Sequence, residues 1–228
     1  MSLAELELEE LQTMTLAELS SIVGGLSNPS KMPGYAYSLP AQECRTGGEL
    51  QKREGSVCYD CYALKGRYAF RNVRAALYRR LESLSHPLWI PAMVELISRR
   101  AAQGHHHFRW HDSGDLQSLE HLEQICEVAR RTPQVRHWIP TREYRTVADY
   151  IKSGGEIPEN LNVRMSAHMV GGAIPTFPRL PVTVSTVFPH GETPEGAHQC
   201  PAPQQENSCG SCRACWDSNV RLVNYTLH

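Results

Sequence analysis

The apolar and polar positions of this chain change period several times, and each change marks an element. Residues 3–25 carry apolar side chains at helical spacing, with Thr15-x-x-Glu18 placed as a capping box and Gly24 and Gly25 as the stop. One or two helices are expected there. The next stretch, LSNPSKMPGYAYSLPAQECRTGGEL, is dense in turn residues and reads as loop, with a short strand at 36–39. After Cys61, Val73, Ala76, Leu77, Leu81 and Leu84 return to helical spacing, and Ile90, Met93, Val94, Ile97 and Ala101 repeat it in a second helix.

The middle of the chain then alternates. Strands are expected at 106–110, 135–139, 161–165 and 181–187. Between the first two, Leu119, Leu122, Ile125, Cys126 and Ala129 share one helical face, and a shorter helix is expected over 146–154. Strand, polar turn, helix, strand is the pattern of parallel βα units. The expected fold class is therefore α/β, a partial (β/α) barrel of about five to six parallel strands, too few for a full eight-stranded barrel. Residues 1–25 form an N-terminal helical segment in this reading, 26–195 the barrel domain, and 196–228 a cysteine-rich tail.

Polar clusters follow the expected strands directly. They are His111, Asp112, Ser113, Gly114 and Asp115 after the second; Thr141, Arg142 and Glu143 after the third; Ser166 and His168 after the fourth; and His190 with Glu192 after the last. In parallel βα folds the carboxyl ends of the strands form the active-site face. Arg142 with Glu143 suits a substrate phosphate or carboxylate, with the glutamate orienting the arginine, and equally suits an ion pair that braces its loop. HDSGD also has a plain reading as a tight turn that caps the next helix.

Composition narrows the function classes. The chain has 228 residues, 41% of them hydrophobic, which suits one domain with a sizeable core. Lys and Arg number 23 against 24 Asp and Glu, so the net charge of −1 gives no global reason to bind nucleic acid or membrane. No apolar stretch is long enough for a membrane span. The N-terminus is acidic and amphipathic, without the basic and apolar regions of a secretory signal, so a cytoplasmic monomer or small homo-oligomer is expected. Basic residues interleave with Tyr68, Phe70 and Tyr78 in KGRYAFRNVRAALYRR, which reads either as a nucleic-acid-facing helix or as an ordinary solvated face.

Chemistry gathers on the cysteines. Seven of eight fall into two clusters: Cys44, Cys58 and Cys61, then Cys200, Cys209, Cys212 and Cys215 in CPAPQQENSCGSCRAC. Structural zinc takes two pairs of ligands from separate knuckles, whereas a cubane cluster accepts successive thiolates from one winding loop. Four thiolates close one [4Fe–4S] cluster. Three hold another with one iron left open for chemistry. Structural zinc, or a closed cluster completed by a distant ligand, is the alternative at the first set; at the second the alternative is zinc, and a closed cluster there would relay electrons, anchor substrate or simply staple the tail. Cys126 lies on an apolar helical stripe and reads as a small buried hydrophobe.

The segments CYDCYALKGRY and FRWHDSGDLQSLEHLEQICEVARRTP resemble the start of a radical S-adenosylmethionine enzyme. There a three-cysteine loop precedes the first helix, and a Gly-Gly-Glu motif ends the second strand. Ser113, Gly114 and Asp115 occupy that motif's place. Thirteen residues separate Cys44 from Cys58 where the superfamily has three, and Asp115 stands for the glutamate. LSNPSKMPG, GSVCYDCYALKG, FRWHDSGDLQ, PTRE and the terminal CGSCRACWD resemble more closely the phage "gene product 88" family, from Leu26 onward.

The superfamily resemblance implies one or two [4Fe–4S] clusters on the seven cysteines. It implies S-adenosylmethionine held near Ser113, Gly114, Asp115, Ser166 and His168, and His111, Asp112, Arg142 and Glu143 at the reacting centre. The substrate is unknown; a phage context, in an infected host's cytoplasm, suggests nucleic acid or a nucleotide. Two other readings stand beside it. One is a non-enzymatic iron–sulfur or zinc phage protein whose metals stabilise a surface for nucleic acid or a host protein. The other is an enzyme using an open iron as a Lewis acid.

Overall fold

A computed structural model describes residues 11–227. Of the helices expected over 3–25, residues 3–10 lie outside the described residues. The remainder ends in α1 (Leu16–Val23), which has the expected capping box between Thr15 and Glu18 and a left-handed Gly24 at its end.

Seven strands form one wholly parallel sheet in the order β1-β2-β3-β4-β5-β7-β6. They are β1 (Tyr35–Tyr37), β2 (His107–Trp110), β3 (Arg136–Thr141), β4 (Leu161–Ser166), β5 (Thr183–Phe188), β6 (His198–Gln199) and β7 (Leu222–Thr226). All five expected strands are present, within a few residues of their expected ends. The sheet differs from expectation in having seven strands and in not closing into a barrel. Both additional strands come from the segment assigned to the cysteine-rich tail, and β7 inserts between β5 and β6. The free edge at β1 is partly covered, because Ser27 and Ala36 exchange backbone hydrogen bonds of 2.8 and 2.9 Å.

The helices are α1, α2 (Arg45–Leu50), α3 (Arg71–Ser83), α4 (Trp89–Ala102), α5 (Leu119–Arg131) and α6 (Tyr144–Lys152). The short α2 falls where only loop was expected. Because sequential parallel strands take right-handed crossovers, their helices collect on one face, and α1, α4, α5 and α6 pack side by side there. Tyr37, Phe108, Trp110, Ile139, Val163 and Met165 point into that core, together with Trp89, Leu122 and Ile125 from the helices. The Tyr37 hydroxyl donates to the Val23 and Arg80 carbonyls and accepts from Trp89 Nε1, joining α1, α3 and α4 at one point. Cys126 is fully buried in this core, as its stripe implied.

Period-two alternation sends a different set to the other face: His107 and Arg109 from β2, Trp138 from β3, Asn162 and Arg164 from β4. Among the described residues, the helices pack on the opposite face. The loop 214–220 covers this set. Arg164, with no solvent exposure, donates to the carbonyls of Val184 (2.9 Å), Ala214 (3.0 Å) and Val220 (3.1 Å). Asn162 Nδ2 donates to the Cys215 carbonyl at 2.9 Å, and Trp216 Nε1 to the Phe108 carbonyl at 2.9 Å. Trp216 packs edge-on against Trp138 and His107.

Two consequences are measurable. Arg164→Met strands three buried carbonyls, and hydrogen bonds to a charged group are worth about 1.5–3 kcal/mol each. Urea unfolding should show a loss of about 3 kcal/mol or more, with faster proteolysis in 200–221; an unchanged midpoint would remove Arg164 from this role.

Acid should also unfold the protein. Burial pushes the imidazoles of His121 and His137 down to about 3, and His111 well below its usual range. A depressed folded-state value gives stability that is complete above about pH 6.5 and lost as pH falls toward 3, by about 1.4 kcal/mol per pH unit per histidine. Buried Asp115, raised to about 6, acts oppositely between about pH 4 and 6, one group against three. Urea midpoints should therefore fall from pH 7 to 4.5, and a flat profile would contradict this balance.

Candidate metal and cofactor site

The loops after β1 to β4 meet at the carboxyl end of the sheet, and the first cysteine set lies among them. Cys44 ends a single turn after β1 and starts α2. Glu143, after β3, holds that start: its carboxylate accepts from the Thr46 backbone N–H and hydroxyl, both at 2.9 Å. Cys58 is brought in from the other side. Val57 N–H donates to the His168 carbonyl and Val170 N–H to that of Gly55, each at 2.9 Å, so this loop pairs with the chain leaving β4.

Thiolate charge at Cys44 would be opposed by Asp115, Cys58 and Cys61, and at Cys58 by Cys61 and Asp115; burial is the largest influence on both, and together they push both thiols up. Arg142 acts the other way on both. A cation among these thiols would invert that balance. Gly47 lies beside both thiols: a Cβ there would come 3.0 Å from Cys44 Cβ and within contact of Cys44 Sγ (3.6 Å) and Cys58 Sγ (3.7 Å).

Asp115 is the centre of the mouth. Its carboxylate accepts from the Thr141 hydroxyl (2.6 Å) and from the backbone N–H groups of Arg142 (2.9 Å) and Leu116 (2.8 Å). It therefore ties the loop after β2 to the loop after β3. Ser113 and Gly114 serve the same turn: Ser113 Oγ donates to the Leu39 carbonyl, and a Cβ on Gly114, at φ +77°, would strike the Leu39 backbone at 2.8 Å. His168 stacks on Tyr144 with ring centres 4.4 Å apart and lies beside Arg142, whose carbonyl is 3.4 Å from its Nε2.

Other expected residues point elsewhere. His111 turns to the helical side, buried beside His121, with neither ring nitrogen hydrogen-bonded among the described residues. Asp112 Oδ2 accepts from the Tyr68 hydroxyl, and its carbonyl from Tyr62. Ser166 Oγ accepts from Ser185 on the covered face. Among the described residues no ion pair joins Glu143 to Arg142; the Glu143 carboxylate accepts from the two donors of Thr46. Arg142 Nε is buried and has no hydrogen-bond partner among the described residues.

The second set lies on the loop-covered face. Burial is the largest influence on Cys200, Cys209 and Cys215 and pushes all three thiols up; Cys212 adds to the rise at Cys200 and Cys209, and Cys200 adds to it at Cys209 and Cys215. Cys215 Sγ is 3.0 Å from the Tyr225 hydroxyl, and Cys212 Sγ is 3.5 Å from His198 Nε2. Among the described residues, no group of three or more His, Cys, Asp or Glu side chains is arranged to hold a metal ion. The thiols are gathered in two places and not assembled into a tetrahedron around one centre.

Two arginines escaped the sequence reading. Arg109 lies with its guanidinium 4.5 Å over the Trp138 ring and lowers the thiols of Cys209 and Cys215, with Tyr62 and Asp112 on its other side. It acts on the second cysteine set directly and on Tyr62, the chain neighbour of Cys61. Arg164 anchors the second. Their signal was alternation, since FRW and NVRM place a cation between two apolar positions of a strand.

The role of Glu143 has a direct test. Glu143→Ala removes both acceptors at the start of α2, a cap worth about 1–2 kcal/mol. The melting temperature should fall by a few degrees and trypsin should cut sooner at Lys52 or Arg53. Equal cutting in both proteins would show that α2 does not depend on Glu143.

Among the described residues no helix is long and apolar enough to cross a membrane. No curated protein and no solved structure matches the chain. The sequence model of the family described as Gene product 88 matches residues 8–218, a span that takes in both cysteine sets and every loop of the mouth, and the chain belongs to that family.

Proposed function

We propose that this protein is an iron–sulfur enzyme of the radical S-adenosylmethionine type. Cys44, Cys58 and Cys61 would hold a [4Fe–4S] cluster with one open iron, and Cys200, Cys209, Cys212 and Cys215 a second, closed one. The observation that supports this reading is that Cys44 and Cys58 both lie beside Gly47 at the carboxyl end of a parallel sheet, with Cys61 close enough to act electrostatically on both. The donor set fits the group, because three thiolates leave one iron free for a ligand. When bound, such a cluster, reduced by an external one-electron donor, would supply the electron that breaks a carbon–sulfur bond of the S-adenosylmethionine sulfonium.

The chain's own residues hold and shape that centre. Arg142 favours thiolate at Cys44 and Cys58, and its unpartnered Nε is free for an anionic ligand group. Asp115, already engaged by three donors, acts by fixing Arg142 in place; its remaining lone pair on Oδ2 is open to one further donor. Glu143 positions Cys44 through α2. At the second set, Arg164 and Asn162 fix the backbone around Cys215, which supports a structural as well as an electron-relaying cluster there.

Anaerobic reconstitution with iron and sulfide tests the assignment. Two cubanes require about eight irons per chain, and dithionite with S-adenosylmethionine should release 5′-deoxyadenosine. Cys58→Ala should abolish that release and keep about half the iron; Cys212→Ala should lose the other half. Stoichiometric zinc without sulfide would overturn the reading.

A further inference from the structure

The stretch that leaves the first cysteine set has an unusual surface. From Cys61 to Leu81 there are six basic residues and no acidic one, in a chain whose net charge is −1. Arg80 is buried on the Gly25 carbonyl, and Lys65 pairs with Asp60. Arg67, Arg71 and Arg74 are exposed and make no ion pair among the described residues.

Aromatic rings share this surface. Tyr59, Tyr62 and Phe70 are 55%, 59% and 58% exposed, three of the five large hydrophobic side chains so exposed among the described residues. A solvated helix face accounts for the arginines. It does not account for three uncovered rings within twelve residues, two of them next to Cys58 and Cys61. Tyr62 also lies edge-on to Tyr68, with ring centres 5.8 Å apart, so its ring is held in place while one side stays open.

We propose that this surface binds single-stranded nucleic acid, with bases stacked on Phe70, Tyr59 and Tyr62 and phosphates held by Arg67, Arg71 and Arg74. The inference rests on the reading of the adjacent cysteines as the reactive centre and names the substrate class delivered to it. Charge complementarity selects a polyanion, and the exposed rings select one with free π faces. A duplex hides those faces. An acidic peptide satisfies the arginines and leaves the rings bare.

Fluorescence anisotropy on the anaerobically reconstituted full chain tests this, with labelled single strands of about 12 nucleotides, the matching duplex, and heparin as competitor. The single strand should bind more tightly than the duplex, and more tightly than heparin can compete away at equal charge. Replacing Arg67, Arg71 and Arg74 together by alanine should cut the log–log salt slope by about 2, since each single-strand phosphate contact contributes about 0.7. Phe70→Ala should weaken binding about tenfold, the cost of one lost stack. All four side chains are exposed, so unchanged melting temperatures are expected.

Equal binding of duplex and single strand with a silent Phe70→Ala would overturn the proposal, as would no strand binding at low salt. The two readings fail separately. Strand binding with both variant effects but no 5′-deoxyadenosine would sink the enzymatic reading alone. Cleavage without strand binding would sink this one alone.

Discussion

The guanidinium of Arg164 is the constraint around which this molecule is arranged. A fully buried cation in the middle of a central strand is costly unless its donors are satisfied, and here backbone carbonyls do it: one from the neighbouring strand and two from the loop 214–220. Carbonyls in the interior of a helix are taken by its own hydrogen-bond ladder, whereas those of an irregular loop are free to accept. The face that carries Arg164 therefore takes an irregular loop as its cover. A sheet with all its crossovers on one side always leaves the other face to be filled, by barrel closure or by something else. In this chain the C-terminal segment fills it, contributing β7 to the sheet and laying Trp216 against Trp138.

That arrangement also places the chemistry. The same segment carries the second cysteine set, so the thiols of Cys200, Cys209, Cys212 and Cys215 end on the covered face, while strand direction sends the first set to the carboxyl mouth. Arg109 acts electrostatically on Cys209 and Cys215 of the second set and on Tyr62, which follows Cys61 of the first. At the mouth, Asp115 and Glu143 are tie points: one joins the loops after β2 and β3, the other joins the loop after β3 to α2. Their carboxylates hold backbone in place so that Cys44 and Arg142 stand where they do.

Much of this was legible in the sequence, for physical reasons that can be named. Period-two alternation in VRHWI, LNVRM and TVSTV made β3, β4 and β5 stand out, and the helical stripe through Leu122, Ile125 and Cys126 marked α5. The mouth was legible because parallel strands must all end on one side. By contrast, LVNYT, the sequence of β7, has no clean alternation. Its buried Asn224 is satisfied only by Thr186, Gln199 and the Glu192 carbonyl, partners distant in sequence. The roles of Glu143 and His111 were misplaced for a similar reason. Adjacency to Arg142 suggested an ion pair, whereas the donors of Thr46 lie 97 positions away. His111 follows a strand end yet has a φ of 58°, which turns its ring from the mouth toward His121.

The central claim is that Cys44, Cys58 and Cys61 leave a ligand position open on an iron at the mouth. Electron paramagnetic resonance of the dithionite-reduced protein measures it most directly, in a Cys209→Ala/Cys212→Ala background that removes the second cluster's signal. Adding S-adenosylmethionine should shift the g-values of the remaining cluster, because the ligand would bind the open iron. A reduced cluster whose spectrum is the same with and without S-adenosylmethionine, or no cluster signal at all, would contradict the claim.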